Sequence, residues 1–232
     1  MGIQLPPSAI NTGPPVLPRP SATVVLMRGA RPWEMLLMRR PGGADFAPGA
    51  FVFPGGTVHA GDAQAPDEIR AAAVREVFEE VGILLARRNG RFARDGDVEA
   101  VRSAIADGAT FAGALGRLGL EPAFDRLVLF TRWITPAQMS RRYDARFFFA
   151  RVPAGQSVRP SESEVTAWRW ITPERALTDP DVTLVYATRS ILESIATSES
   201  ASTVIARARR LREVPRVEPH MFQTGSGWVV EH

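Results

Sequence analysis

Residues 75–83 read Arg-Glu-Val-Phe-Glu-Glu-Val-Gly-Ile, a pattern with helical spacing. At about 100° per residue, the apolar side chains of this stretch share one stripe: Val74, Val77, Phe78 and Val81. Three carboxylates share the opposite side: Glu76, Glu79 and Glu80. Acidic residues at 67 and 68 suit the positive end of a helix dipole, and Gly82 suits a C-terminal stop. The pattern therefore predicts a helix over Asp67–Val81.

The three clustered carboxylates of this helix repel one another, because residues three or four apart lie side by side on a helix. Arg75 precedes Glu79 by four residues and can pair with it, but one guanidinium cannot neutralise three acids. A hard divalent cation with oxygen ligands can do so. The alternative is an acidic helix face exposed to solvent.

With Phe53-Pro54-Gly55-Gly56 upstream, the stretch resembles the Nudix box, G-x5-E-x7-R-E-U-x-E-E-x-G-U with U aliphatic. The second half of the box matches at every fixed position. In the first half, Asp62 stands at the acidic position six residues after Gly56, and twelve residues separate it from Arg75 where the family has seven. We expect the five extra residues to lie before the helix, in Ala63–Pro66 and the first turn.

Resemblance to Nudix hydrolases implies an α/β fold, an αβα sandwich holding a mixed β-sheet, over roughly Ser21 to Ala196. It also implies metal-dependent hydrolysis of a nucleoside diphosphate linked to another group. Carried over by position, Glu76 and Glu80 bind Mg²⁺ or Mn²⁺, Glu79 binds metal or orients water as a catalytic residue, and the Gly56 carbonyl completes the ligand set. Arg75 is then structural. We expect His59 to be an exposed loop residue rather than a metal ligand.

A further acid is expected from the loop before a strand that ends in Trp170, because Nudix enzymes often take one there. Glu164 fits this place as a general base, with Glu162 and Glu79 as the alternatives.

The upstream residues bear on the substrate. Together with Gly49, Leu36-Leu37-Met38-Arg39-Arg40 and Phe53–Gly56 resemble the signature of coenzyme A diphosphatases, although Met38, Pro41 and Asp45 differ from it. Arg40 is the candidate phosphate contact, the alternative being a surface ion pair, and Gly55 and Gly56 let the backbone approach the substrate closely. CoA or acyl-CoA is thus the first substrate class. The alternatives are ADP-ribose, dinucleotides or other nucleotides, or a Nudix module that binds a nucleotide without cleaving it.

The chain is expected to divide into a flexible Pro-rich leader (1–20), a Nudix hydrolase domain (21–213) and a C-terminal tail (214–232). A helical insertion is predicted at about 85–125, after the glutamate helix. The predicted strands are Ala22–Met27, Met35–Arg39, Arg126–Trp133, Ala145–Val152 and Glu164–Trp170. The predicted C-terminal helices are Leu184–Ile195 and one that carries Val204, Ile205, Ala208 and Leu211.

Composition excludes several other functions. All 28 basic residues are arginine, so a Walker A loop and a Schiff-base lysine are ruled out, and the absence of cysteine rules out disulfides and thiolate sites. The net charge is only +3, and the high isoelectric point follows from the lack of groups that lose a proton above pH 7, so it does not indicate nucleic acid binding. We expect no membrane span and a cytoplasmic location, and a homodimer is one candidate assembly.

Three further groups of residues have separate expected positions. Arg142 and Arg146 could line the substrate cleft. The three phenylalanines at 147–149 are expected in the core. The arginines of the last helix are expected to face solvent: Arg207, Arg209, Arg210 and Arg212.

Overall fold

The computed structural model describes residues 7–44, 47–225 and 227–231. Its strands are β1 (Arg19–Gly29), β2 (Trp33–Arg39), β3 (Phe51–Val52), β4 (Gly55–Thr57), β5 (Ala86–Arg88), β6 (Arg91–Phe92), β7 (Glu121–Pro122), β8 (Val128–Ile134), β9 (Tyr143–Arg151), β10 (Ala167–Ile171), β11 (Arg216–Val217), β12 (His220–Thr224) and β13 (Gly227–Glu231). The helices are α1 (Glu68–Val81), α2 (Asp95–Ala106), α3 (Phe111–Arg117), α4 (Pro173–Thr178), α5 (Tyr186–Ile195) and α6 (Ala201–Arg209).

The main sheet is mixed, with the strand order β10-β2-β1-β9-β8-β11. The pairs β1–β9 and β8–β11 are parallel, and the others along this path are antiparallel. Short strands β3 and β4 pair with β2 and β1, respectively. This arrangement places the β3–β4 turn beside the first residues of β1.

Side chains of β1 alternate between two cores, as the twofold period of a strand requires. Val24 and Leu26 pack with the apolar side of α1, whereas Val25 and Met27 pack with α5 and α6 on the other face. A third cluster joins Phe78 of α1 to the insertion helices α2 and α3. Helices therefore cover both faces of the sheet, and the predicted αβα sandwich with a helical insertion and C-terminal helices is confirmed.

The phenylalanines at 147–149 are all buried, as predicted. Phe147 and Phe149 face α5 and α6, and Phe148 faces α1.

Several element boundaries differ from those predicted. Helix α1 begins at Glu68, because the Asp67 side chain accepts a hydrogen bond from the backbone N–H of Arg70 and caps the helix. Strand β10 begins at Ala167 rather than at residue 164, because a turn closes when Glu164 N–H donates to the Ser161 carbonyl at 3.1 Å.

Both ends of the chain contribute structure that the sequence did not indicate. In the leader, Asn11 N–H donates to the Gln138 carbonyl at 2.8 Å, and β1 already begins at Arg19. In the tail, β11 adds a strand to the main sheet, and β12 pairs with β13 as an antiparallel hairpin.

Candidate active site

The β3–β4 turn lies against both the sheet and α1. Gly55 and Gly56 pair with Thr23 and Ala22 of β1. A Cβ atom at Gly55 would lie under 3.0 Å from the backbone of β1, and one at Gly56 would lie under 3.0 Å from the carboxylate of Glu76. Glycine is needed at position 55 because the obstacle there is backbone, whereas a side chain at position 56 would displace the Glu76 carboxylate.

Arg75 connects the acids of the site. Its Nη2 donates to Asp62 Oδ2 at 2.9 Å, and its Nη1 donates to Glu76 Oε1 at 2.8 Å and to Glu79 Oε2 at 2.7 Å. Nη2 also donates to the Thr57 carbonyl at 2.9 Å. Burial disfavours the charged guanidinium, but the bond with Asp62 and the charges of the two glutamates outweigh this and raise the pKa of Arg75.

Asp62 forms an ion pair with Arg75 that the sequence did not predict. It is 5% exposed and begins a 3-10 turn, Asp62–Gln64, that takes up the extra residues before α1, as predicted. Its Oδ2 also accepts a hydrogen bond from His59 N–H at 2.8 Å, while the His59 side chain is exposed, as predicted. Asp62 therefore fixes both the loop and the guanidinium that orients two glutamates.

Glu80 is held by the glycine turn. Its Oε2 accepts a hydrogen bond from Gly55 N–H at 2.7 Å, and the residue is 6% exposed. Burial raises the pKa of Glu80 well above its ordinary value; the Gly55 bond opposes this shift, while the charge of Glu76 adds to it. Burial also raises the pKa of Glu76, against the opposing charge of Arg75. Glu79 is the accessible member, with a side chain 42% exposed.

The donor set suits a hard divalent cation, since it consists of three carboxylates beside a glycine peptide. In the bonds above each carboxylate uses one oxygen: Glu76 Oε1, Glu79 Oε2 and Glu80 Oε2. Across residues 7–44, 47–225 and 227–231, however, no three His, Cys, Asp or Glu side chains are arranged so that they could hold a metal ion. A divalent cation at this place would therefore require the carboxylates to move from the positions described.

Glu164 and Arg40 lie close enough to affect Glu80. The charge of Glu164 raises the pKa of Glu80, and the charge of Arg40 lowers it. The loop that carries Glu164 is fixed to α1, because Ser161 N–H donates to the Glu80 carbonyl at 2.9 Å. Glu162 is exposed in the same turn.

Trp168 is an aromatic residue near this site that the sequence analysis did not single out. It pairs with Met38 across β10 and β2, and Met38 belongs to the core beneath α1, so Trp168 lies on the α1 face of the sheet. Its exposure is 39%. Only the sheet register reveals this position.

Arg142 and Arg146 differ in their relation to the cleft. Arg142 is buried and donates to the carbonyls of Thr135 and Val16, each at 2.9 Å, and to Glu218. These bonds tie the leader and the tail to the sheet, so the prediction that Arg142 lines the cleft is wrong. Arg146 pairs with Ala22, the residue that pairs with Gly56 on the other side of β1. Asp45, which departs from the coenzyme A signature, lies outside the described residues.

Comparisons with known proteins identify the family. A family model described as the NUDT19 Nudix domain matches residues 64–186, more than half of the chain. The chain belongs to the Nudix hydrolase family. This confirms both the predicted family and the predicted enzyme class. Among the described residues, no helix is both long and apolar enough to cross a membrane.

This Nudix hydrolase is similar to putative nudix hydrolase 7 of Caenorhabditis elegans, with 32% identity over 160 residues that cover 68% of this chain and 52% of the relative. It is also similar to acyl-coenzyme A diphosphatase NUDT19 of Xenopus laevis, with 26% identity over 207 residues that cover 63% of this chain and 54% of the relative. The chain thus spans about half the length of the curated relatives that it matches. The crystal structure of a Nudix hydrolase from Alicyclobacillus acidocaldarius superposes with a TM-score of 0.69 at 25% identity, covering 82% of this chain and 96% of that one.

Proposed function

We propose that this Nudix hydrolase cleaves the diphosphate linkage of a nucleoside diphosphate conjugate, with Mg²⁺ or Mn²⁺ held by Glu76, Glu79, Glu80 and the Gly56 carbonyl. The observation that carries the proposal is the burial of two carboxylates against one glycine turn. Glu80 accepts from Gly55 N–H, and Glu76 packs on Gly56. Burial raises both pKa values, so a divalent cation at this place would restore the charged forms.

The division of roles follows from exposure. When bound, the metal would screen the diphosphate and make a nearby water more acidic. Buried Glu76 and Glu80 fix the ligand geometry, while exposed Glu79 can also orient the attacking water. Glu164 would serve as general base for the attacking water, since its side chain is exposed and lies near enough to Glu80 for its charge to act there. Arg40 binds a phosphate of the substrate.

We infer that CoA or acyl-CoA is the preferred substrate. Support comes from the residues that match the coenzyme A signature, which include Arg40 near the carboxylates, and from the similarity to relatives named acyl-coenzyme A diphosphatase. The second candidate is ADP-ribose, a dinucleotide or another nucleotide. It is kept because Met38 and Pro41 replace signature residues.

Trp168 supplies the surface for the base of the nucleotide. Trp168 pairs with Met38, and Arg40 follows Met38 by two residues, directly after β2 ends at Arg39. An exposed indole beside a phosphate-binding arginine suits a nucleobase, because bases stack on aromatic rings.

Product analysis tests the proposal. The full chain is incubated with Mg²⁺ and CoA, acyl-CoA, ADP-ribose or dinucleotides, and the products are separated by chromatography, with Glu80→Gln as the inactive control. Formation of 3′,5′-ADP and a phosphopantetheine product supports the first substrate class. Cleavage of other members alone supports the second, and binding without cleavage by the wild-type chain contradicts the hydrolytic assignment.

A further inference from the structure

A concave site lies away from the carboxylates, toward the other end of β1. It is a cavity of about 510 Å³, within the usual range for small-molecule sites, and it lies between α6, the end of β9 and the insertion. Gly55 of the glycine turn pairs with Thr23 of β1, whereas Arg151, which lines the cavity, pairs with Met27 of the same strand. The two positions are four residues apart along the strand, or about 13 Å. The cavity is therefore not part of the carboxylate site.

Four arginines from three parts of the chain line this cavity, named here the arginine cavity: Arg126, Arg151, Arg209 and Arg210. None of its lining residues, all within the described ranges, is acidic. Within those ranges, Arg209 and Arg210 form no ion pair. Arg126 shares Asp125 with Arg87.

The helix dipole of α6 offers a simpler explanation for the arginines at its C-terminal end, but it does not account for the other two arginines of the cavity. Basic residues stabilise the C-terminal end of a helix, and α6 ends at Arg209. That effect does not explain why Arg126, before β8, and Arg151, at the end of β9, face the same space. Arg207, Arg209, Arg210 and Arg212 are all exposed, as the sequence predicts, and two of them, Arg209 and Arg210, also line the cavity.

The rest of the lining is largely apolar and includes Phe92 and Ile205. On α6 the lining residues recur at helical spacing and form one stripe, Ser202, Ile205, Ala206 and Arg209, and Arg210 follows directly after the helix. An apolar surface next to several guanidinium groups suits a ligand with two parts. One part is a multiply charged anion that arginine forks can hold, and the other part is apolar.

We propose that the arginine cavity binds a phosphate monoester that carries an apolar group, independently of the Nudix carboxylates. Phosphate is favoured because it carries up to two charges and three acceptor oxygens, which suit more than one arginine. The apolar group packs on Phe92 and Ile205. This site gives the enzyme a second ligand beyond its diphosphate substrate.

Calorimetric titration of the full chain with hexyl phosphate, in EDTA and at low salt, tests the proposal. The double substitution Arg209→Ala and Arg210→Ala is expected to weaken binding about tenfold or more, because charge-assisted bonds to phosphate are lost. The matched control, Arg207→Ala and Arg212→Ala, removes the same charge from residues outside the cavity and is expected to change the affinity less than about twofold. Thermal unfolding of both variants verifies that they fold.

Three results would overturn the proposal. One is equal affinity of the two double variants for hexyl phosphate. Another is binding of inorganic phosphate or hexanoate as tightly as hexyl phosphate, which would remove the need for an apolar group or for phosphate. The last is loss of binding in Glu80→Gln, which would place the ligand at the carboxylates. Since the titration needs no turnover, it remains informative even if the proposed hydrolysis is not observed.

Discussion

Replacing Asp62 by Asn should destabilise the enzyme far more than an ordinary surface charge change. Asp62 and Arg75 have side chains 5% and 8% exposed, and their closest atoms are 2.9 Å apart. Removing one partner of a buried pair costs about 3–5 kcal/mol. We expect the lower end, about 3 kcal/mol, because Arg75 keeps its bonds to Glu76, Glu79 and the Thr57 carbonyl. At roughly 2–4 °C per kcal/mol for a chain of this size, Tm falls by about 6–12 °C.

The matched control is Asp125→Asn. Asp125 also forms two bonds to one arginine, Arg87, at 2.9 Å each, but its side chain is 60% exposed. Exposed pairs contribute at most about 1 kcal/mol, so Tm should fall by no more than about 4 °C. Differential scanning calorimetry of both variants in EDTA gives the comparison. If Asp62→Asn lowers Tm no more than Asp125→Asn does, Arg75 is not held as described.

Three further predictions concern the site itself. Burial raises the pKa of Glu80 in the folded state, so ionisation of Glu80 lowers the stability of the fold as pH rises from the unfolded pKa through the folded one. In EDTA, Glu80→Gln should therefore have a higher Tm than wild type at pH 8, and the difference should shrink toward pH 4.5. A difference in Tm that does not change with pH would contradict this. Glu164→Gln should lower kcat about 10²–10⁴-fold while Mn²⁺ affinity stays the same, and steady-state kinetics showing only a few-fold loss would exclude Glu164 as the base. Trp168→Ala should raise KM for CoA roughly tenfold with little change in kcat, whereas Trp168→Phe should retain most of the affinity for CoA. An unchanged KM for Trp168→Ala would exclude stacking of the base on Trp168.

The glutamate helix could be predicted because its information is local. The spacing of apolar and acidic residues defines one buried stripe, and its end at Gly82 matches the structure. The strands and the αβα layering follow from the same kind of periodicity and from family resemblance. The pattern places Glu76 and Glu80 on the correct helix, but it does not predict that both side chains are buried.

The remaining features depend on contacts between distant parts of the chain. The bond from Asp62 to Arg75 crosses the extra residues before α1, and helical periodicity does not reach across a 3-10 turn. The role of Arg142 depends on Val16 and Glu218, at opposite ends of the sequence. Strand β11 has only two residues, too few to show alternation.

The central claim is that Glu76, Glu79 and Glu80 hold a divalent cation beside Gly56. Anomalous diffraction from crystals of the enzyme soaked in Mn²⁺ tests it most directly. We predict a peak about 2.1 Å from carboxylate oxygens of Glu76 and Glu80 and from the Gly56 carbonyl. A crystal with full Mn²⁺ exposure and no anomalous peak at these oxygens would contradict the account.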